Sequence, residues 1–489
     1  MTIGNTGRTR NLLYVAGFLL ILSFGHVSKL AFGVGAGLYI LGALWSYKYR
    51  QFSITLPVIL FVTNLVFYVT RELVPLVDVS FALYWLILLD IVILVTLNAR
   101  IARLQLRFPI LWGAVAFLAS IALSVIASGH TKDVAYFFVV NLGALILFYA
   151  ILNTRSEVNQ LKNIIRGLVS LGIGSAALSV WQLYSPSFKF FYYPYIATRD
   201  ELILELWEVV SRVVGTWQHP SYLGIYLAIA MPLAVWLVLH GAKSPRERII
   251  WATGFVLMGA VLLLTNTRSS VLSAGLGVII ALFIAGASGL SAGRKINLRA
   301  FAFVGLLAAA SLLLYQFVFV AEIYTKPQAW RVDASATIWG RFLSSDSMST
   351  ESLVQRSQLY DLAWQSFKER PITGIGAKNF VYRVEGLFER GTDAHNLILQ
   401  TAAETGIIGL FMTMLLYLSL LRLLWKTRRT IVPEHKPLFA ALFAVPILIF
   451  FDSMFNNPLY SLRIVAVFWL ICGLVISLGE PQKNAQNYN

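Results

Sequence analysis

The sequence predicts an all-α polytopic membrane protein of about 12–14 transmembrane helices, with a large soluble loop that contains an amphipathic helix. Three observations predict it. The 489 residues are 58% hydrophobic and 13% charged, with a mean hydropathy of +0.73, whereas soluble domains carry roughly a quarter charged residues. Uncharged apolar runs of roughly 16 to 22 residues recur along the chain, each long enough to cross a bilayer as a helix. Every second connection between these runs is basic, the pattern left where Lys and Arg orient insertion. A transmembrane barrel is excluded, because its strands alternate and are about half as long.

The net charge of +16 follows from that loop bias and does not call for nucleic acid. The one cysteine, Cys472, lies in the last apolar run, so there is neither a disulfide framework nor a thiolate metal site. Met1 to Arg10 is short, polar and basic, and the apolar run after it has no small-residue cleavage site. It reads as the cytoplasmic start of the first span.

Taken in order, spans are expected near 12–28, 30–46, 54–69, 76–97, 108–127, 134–152, 161–181, 221–239, 249–265, 270–287, 299–320, 395–424, 437–451 and 460–478. The first two are close enough to form one bent hairpin. The basic connections are Lys48 with Arg50, then Arg100, Arg103 and Arg107, then Arg155, Lys162 and Arg166. The series continues with Lys243, Arg246 and Arg248, then Arg294, Lys295 and Arg299, then Arg422, Lys426, Arg428 and Arg429. This alternation puts both termini in the cytoplasm and two long connections on the outer face. The chain thus divides into N-terminal spans (1–181), a first outer loop (182–220), central spans (221–320), a large outer loop (321–394), C-terminal spans (395–478) and a polar cytoplasmic tail (479–489).

The first outer loop is aromatic (Phe188, Phe190, Phe191, Tyr192, Tyr193, Tyr195), then acidic (Asp200, Glu201, Glu205, Glu208). In the second, Glu351 to Glu369 reads as an amphipathic helix capped by Ser349 or Thr350 and stopped by Arg370-Pro371. Leu353, Tyr360, Trp364 and Phe367 share one stripe. That stripe suits either the membrane interface plane or the loop's own core.

The polar residues at the outer boundary are few. Arg268 stands in a very tight turn between two apolar runs, where an unpartnered cation is costly. It reads equally as a grip on phosphate oxygens, for which the guanidinium fork is suited, or as a cation snorkelling to lipid headgroups. Arg212 precedes His219-Pro220 by seven residues; Glu205 and Glu208 offer it ordinary loop partners. His395, between Asp393 and Asn396 at a helix start, is able to take a proton near neutral pH, or simply to cap the helix. Glu404, nine residues on, points to roughly the opposite helix face and is expected to make a structural contact with another helix. His219, Lys378, Asp393 and Asn396 are further candidates for substrate binding. Asp90, deep in the fourth run, is either a proton site or a helix–helix hydrogen-bonding group with a partner such as Asn64 or Asn141. There is no Asp-x-Asp, His-Glu-x-x-His, Walker or Gly-x-Ser-x-Gly motif, so metal-dependent sugar-nucleotide transfer, ATP use and serine hydrolysis lose support.

Across residues 212–424 the chain resembles the O-antigen ligase and O-antigen polymerase family of bacterial envelope enzymes. The resemblance rests on the Arg212-to-Leu223 block, the Thr-x-x-Arg-Ser turn at Arg268, Arg370-Pro371-Ile372-Thr373-Gly374-Ile375-Gly376, and His395-Asn396 running to Glu404-Thr405-Gly406-Ile407-Ile408-Gly409. It implies a GT-C-like glycosyltransferase of the bacterial inner membrane, with about twelve spans. Such an enzyme moves a glycan from an undecaprenyl diphosphate carrier to an acceptor hydroxyl at the periplasmic face, with no metal or cofactor. Arg212 and Arg268 would hold the diphosphate, and His395 would orient or deprotonate the acceptor hydroxyl. The acceptor would be lipid A–core, a second lipid-linked repeat, or a protein Ser or Thr. A secondary transporter or lipid flippase is the alternative from another class; it would show repeated halves and midplane charges. A non-catalytic scaffold is the third.

Overall fold

The computed structural model describes residues 3–24, 29–48, 53–66, 72–74, 77–99, 108–153, 158–184, 213–217, 219–290, 298–320, 347–385 and 392–479. Every expected span coincides with a helix. The N-terminal set is α1 (Ile3–Phe24), α2 (Lys29–Lys48), α3 (Thr55–Val66), α4 (Val79–Ala99), α5 (Phe108–Leu123), α6 (Thr131–Leu152) and α7 (Val158–Tyr184). The central set is α8 (Pro220–Trp236), α9 (Pro245–Leu264), α10 (Arg268–Leu290) and α11 (Leu298–Leu314). Then come α12 (Ser347–Glu369) and α13 (Phe380–Val384) in the large loop, and the C-terminal α14 (Leu397–Thr427), α15 (Lys436–Asp452) and α16 (Leu462–Leu478). Among the described residues, 11 helices are long and apolar enough to cross a membrane, and α3 and α16 are shorter apolar helices. A two-stranded antiparallel pair, Glu72–Val74 with Val77–Asp78, links α3 to α4; the sequence reading placed no strand there.

Two helices form the centre. Nearly every residue of α8 and α16 is buried, as expected for helices that are apolar all round. Large apolar side chains such as Leu12, Trp112, Phe283, Leu306, Phe317 and Leu418 are exposed on the surrounding helices, which suits hydrocarbon contact. Asp90 makes helix–helix hydrogen bonds of the kind the structural reading expects, with different partners. It accepts from the hydroxyls of Tyr14 and Tyr39 at 3.2 Å each and ties α4 to the α1–α2 hairpin. Asn64 donates instead to the Ser80 carbonyl and Asn141 to that of Phe137.

The large loop is fastened to the bundle by a break in α14. Gly406 has φ +65°, ψ −167°, a conformation open to glycine and barred to residues with a Cβ. The break exposes backbone groups that the loop takes up. Ile375 N–H donates to the Ala403 carbonyl and Gly376 N–H to that of Glu404, each at 2.9 Å, while Ile407 N–H donates to the Pro371 carbonyl at 2.8 Å. Glu404 completes the junction by accepting from the backbone N–H groups of Lys378 (2.8 Å) and Phe380 (3.2 Å) and from the Gln400 amide. Its role is structural, as expected, but its main partner is the loop backbone. Gly374 makes the close approach feasible: its φ is +68°, and a Cβ there would fall on the backbone of Glu404 and Thr405. Gly374→Ala is therefore expected to destabilise the junction by at least about 1–2 kcal/mol, the left-handed cost alone. A lowered thermal-unfolding midpoint of the detergent-solubilised protein would register it.

The amphipathic helix α12 begins at Ser347, so Ser349 and Thr350 lie inside it rather than at its cap. Its packing face also differs from the expected one. Leu359, Ala363 and Ser366 are buried, and Leu359 and Ala363 pack with Phe380, Val384, Ala394 and Ala403. Trp364 is 50% exposed and stacked on Phe367; small side chains, not the aromatic stripe, let the helix settle on the start of α14.

Candidate functional site

Helices α8, α10, α14 and α16 all begin at the end of the bundle covered by the large loop. The turn after α15 organises that end. Asp452, buried, accepts from the hydroxyls of Ser270 (3.3 Å) and Ser273 (3.5 Å) on the first turns of α10. Asn456 donates to Ser269 and to Asp452. These bonds occupy the carboxylate with hydroxyls, and Arg268 is left half-exposed at the head of α10. Among the described residues no carboxylate lies within ion-pair distance of Arg268; the charged group that acts on it is Arg356.

The same turn holds the histidine. Leu397 N–H donates to the Ser453 carbonyl at 2.8 Å, and the Asn396 amide donates to that of Met454 at 3.3 Å. Asn396, not His395, is the helix cap: its side chain accepts from Ile398 and Leu399 N–H at 3.1 Å each. His395 is thereby spared for other work, in a left-handed backbone (φ +53°) that costs energy for any residue with a side chain. Its Nε2 lies 3.4 Å from Thr392 Oγ1. Burial holds its pKa below the ordinary histidine value; Asp393 pulls the other way, and the Arg356 cation adds a smaller push downward. The imidazole is neutral at neutral pH, the form that accepts a proton.

Arg356 is the functional candidate that sequence reasoning missed. It stands one turn before Leu359, on the face by which α12 rests on Ala394, and it acts electrostatically on both Arg268 and His395. The available signal was its i, i+3 spacing to Leu359, obscured because the aromatic stripe drew the packing face elsewhere.

The remaining candidates separate. Arg212 lies outside the described residues, as do the acids of the first loop. His219 caps α8, its Nδ1 accepting from Ser221 N–H at 3.2 Å. Lys378 Nζ lies 5.0 Å from the centre of the Tyr460 ring; Asp393 acts electrostatically on Lys378, Tyr222 and Tyr460, and the buried Arg463 acts on Tyr222. Arg463 donates to the Thr216 carbonyl at 3.3 Å and lies over the Trp217 ring; the sequence reading passed over it inside an apolar run. Among the described residues no group of three or more His, Cys, Asp or Glu is placed to hold a metal ion.

The fold defines a polytopic helical membrane protein, with its candidate site residues at one end of the bundle. Residues 253–414 match the O-antigen ligase family, and the match supports assignment of the chain to the O-antigen ligase and polymerase family. No curated protein matches the chain. The matched stretch contains Arg268, Arg356, Lys378, Asp393 and His395, whereas Asp452 and Arg463 lie beyond it.

Proposed function

We propose that the chain is a ligase-type glycosyltransferase of the bacterial inner membrane, moving a glycan from undecaprenyl diphosphate to an acceptor hydroxyl, lipid A–core in the first instance, at the periplasmic face. One feature carries the reading: Arg268 stands at the head of α10 with no carboxylate within ion-pair distance among the described residues, and the cation that acts on it, Arg356, acts also on His395. Two like charges in that setting call for an anion, and a diphosphate supplies oxygens matched to guanidinium forks. The acceptor O–H adds to the anomeric carbon as His395 takes its proton. The bond from that carbon to the diphosphate oxygen breaks, and its electron pair leaves with the carrier. Arg268 and Arg356, joined by Arg212 on the family resemblance, stabilise the charge that gathers on the leaving group. Displacement from the opposite side inverts the anomeric centre, and no metal is needed at any step. Both chain termini lie in the cytoplasm on this reading, in agreement with the basic connections at the far end of the bundle.

The test is transfer by purified full-length protein in detergent, with an undecaprenyl diphosphate-linked oligosaccharide as donor, lipid A–core as acceptor and EDTA present. Inverted product formed by the wild type in EDTA is the expected result. Transfer abolished by EDTA and restored by a divalent cation would overturn the metal-free mechanism.

A further inference from the structure

Three non-glycine residues among those described have a left-handed backbone: Asn266, Lys378 and His395. One stands two residues before Arg268, and another is the proposed base. Such outliers collect at functional sites, because only a surrounding structure that over-determines them can hold them. Lys378 is the one left unexplained. Its φ is +63°, and the conformation is imposed by Glu404, which accepts its N–H, and by Ser124, which accepts that of Ala377 at 3.0 Å. Glycine would sit there without strain, so a lysine at this position points to a use for its side chain.

That side chain ends among rings and a carboxylate. Its Nζ lies 5.0 Å from the centre of the Tyr460 ring. Burial by itself would lower its pKa, but Asp393, Tyr222, Glu404 and Tyr136 together raise it, so the ammonium stays charged. Asp393 acts electrostatically on His395 and also on Lys378, Tyr222 and Tyr460. The cluster thus adjoins the proposed base, and it differs in kind from the paired arginines: Lys378 as donor, Asp393 as acceptor and aromatic walls, with the second cation, Arg463, engaged by the Thr216 carbonyl and the Trp217 ring. A pair of hydroxyls on a pyranose needs the first two, and the apolar face of the ring suits the third.

We propose that Lys378 and Asp393, walled by Tyr222 and Tyr460, form the subsite for the sugar ring that carries the attacking hydroxyl. Asp393 accepts from one ring hydroxyl, Lys378 donates to another, and His395 meets the third. The inference rests on the transfer reading above and adds to it the residues that hold the acceptor sugar, on lipid A–core or on a second lipid-linked repeat.

The experiment measures donor and acceptor KM separately for the full-length protein, with lipid A–core in one arm and the lipid-linked donor as its own acceptor in the other. Donor-induced thermal stabilisation confirms that each variant is folded. Lys378→Met and Asp393→Asn are each expected to raise acceptor KM about tenfold, the worth of one charge-assisted hydrogen bond, with donor KM moving less than about twofold. Lys378→Arg, which keeps a donor, should recover part of the loss. The inference is overturned if donor KM rises instead, if kcat falls with both KM values unchanged, or if only a protein Ser or Thr serves as acceptor. A wild type inactive in both arms and on protein would overturn the transfer reading itself. The arm that turns over names the source of the acceptor sugar.

Discussion

Arg268→Ala and Arg356→Ala should each lower kcat/KM for glycan transfer by about 10²–10³-fold, the range seen when one preorganised electrostatic contact to a developing charge is removed. The two losses should not add. Either arginine alone, facing its like-charged neighbour, is the group that the leaving diphosphate neutralises, so the double variant should fall well short of the product of the single effects. Lysine at either position should rescue only in part, because an ammonium cannot fork across two oxygens. Arg356 is the sharper test, since it reaches the site from a soluble helix and not from the bundle. Unchanged transfer in Arg356→Ala, in protein shown to be folded, would remove it from the mechanism.

His395→Ala should cost about 10²–10⁴-fold in kcat, the usual contribution of a positioned general base. Its titration gives a second and more discriminating readout. The neutral imidazole is the working form, so the rate falls as pH drops through its pKa. Burial and Arg356 hold that pKa below the ordinary histidine value, and the acid limb of the rate profile should accordingly lie at lower pH than for a free imidazole. Arg356→Gln removes a like charge, raises the pKa and moves the limb to higher pH. Asp393→Asn removes the opposing carboxylate and moves it to lower pH. Opposite shifts from two substitutions are hard to obtain from general damage; shifts in the same direction would count against His395 as the titrating group.

The bundle was legible in the sequence because bilayer thickness fixes helix length and insertion fixes loop charge, and both leave marks readable without knowledge of contacts. His395 and Arg268 stood out as candidates for a related reason: polar groups at apolar boundaries are few. What escaped depended on long-range partners. Asp452 falls just past an expected span and drew no attention, yet its hydroxyl partners Ser270 and Ser273 lie on a helix far earlier in the chain. Asp90 stood between two alternatives, and its partners Tyr14 and Tyr39 were hidden among residues that count simply as apolar. Arg356 escaped because the packing face of α12 is made of Leu359, Ala363 and Ser366, and aromatic residues outweigh small ones in any pattern read from periodicity.

The junction at Gly406 bears on how the protein is made. The carbonyls that receive Ile375 and Gly376 belong to Ala403 and Glu404, which leave the ribosome after the loop that needs them. Residues 371–380 therefore cannot reach their final arrangement until the next hydrophobic segment has entered the bilayer. During synthesis the loop waits, unfinished, for its own anchor. Cut from the chain and produced alone it would lack those partners, so the native loop is a product of membrane insertion and not a separate folding unit.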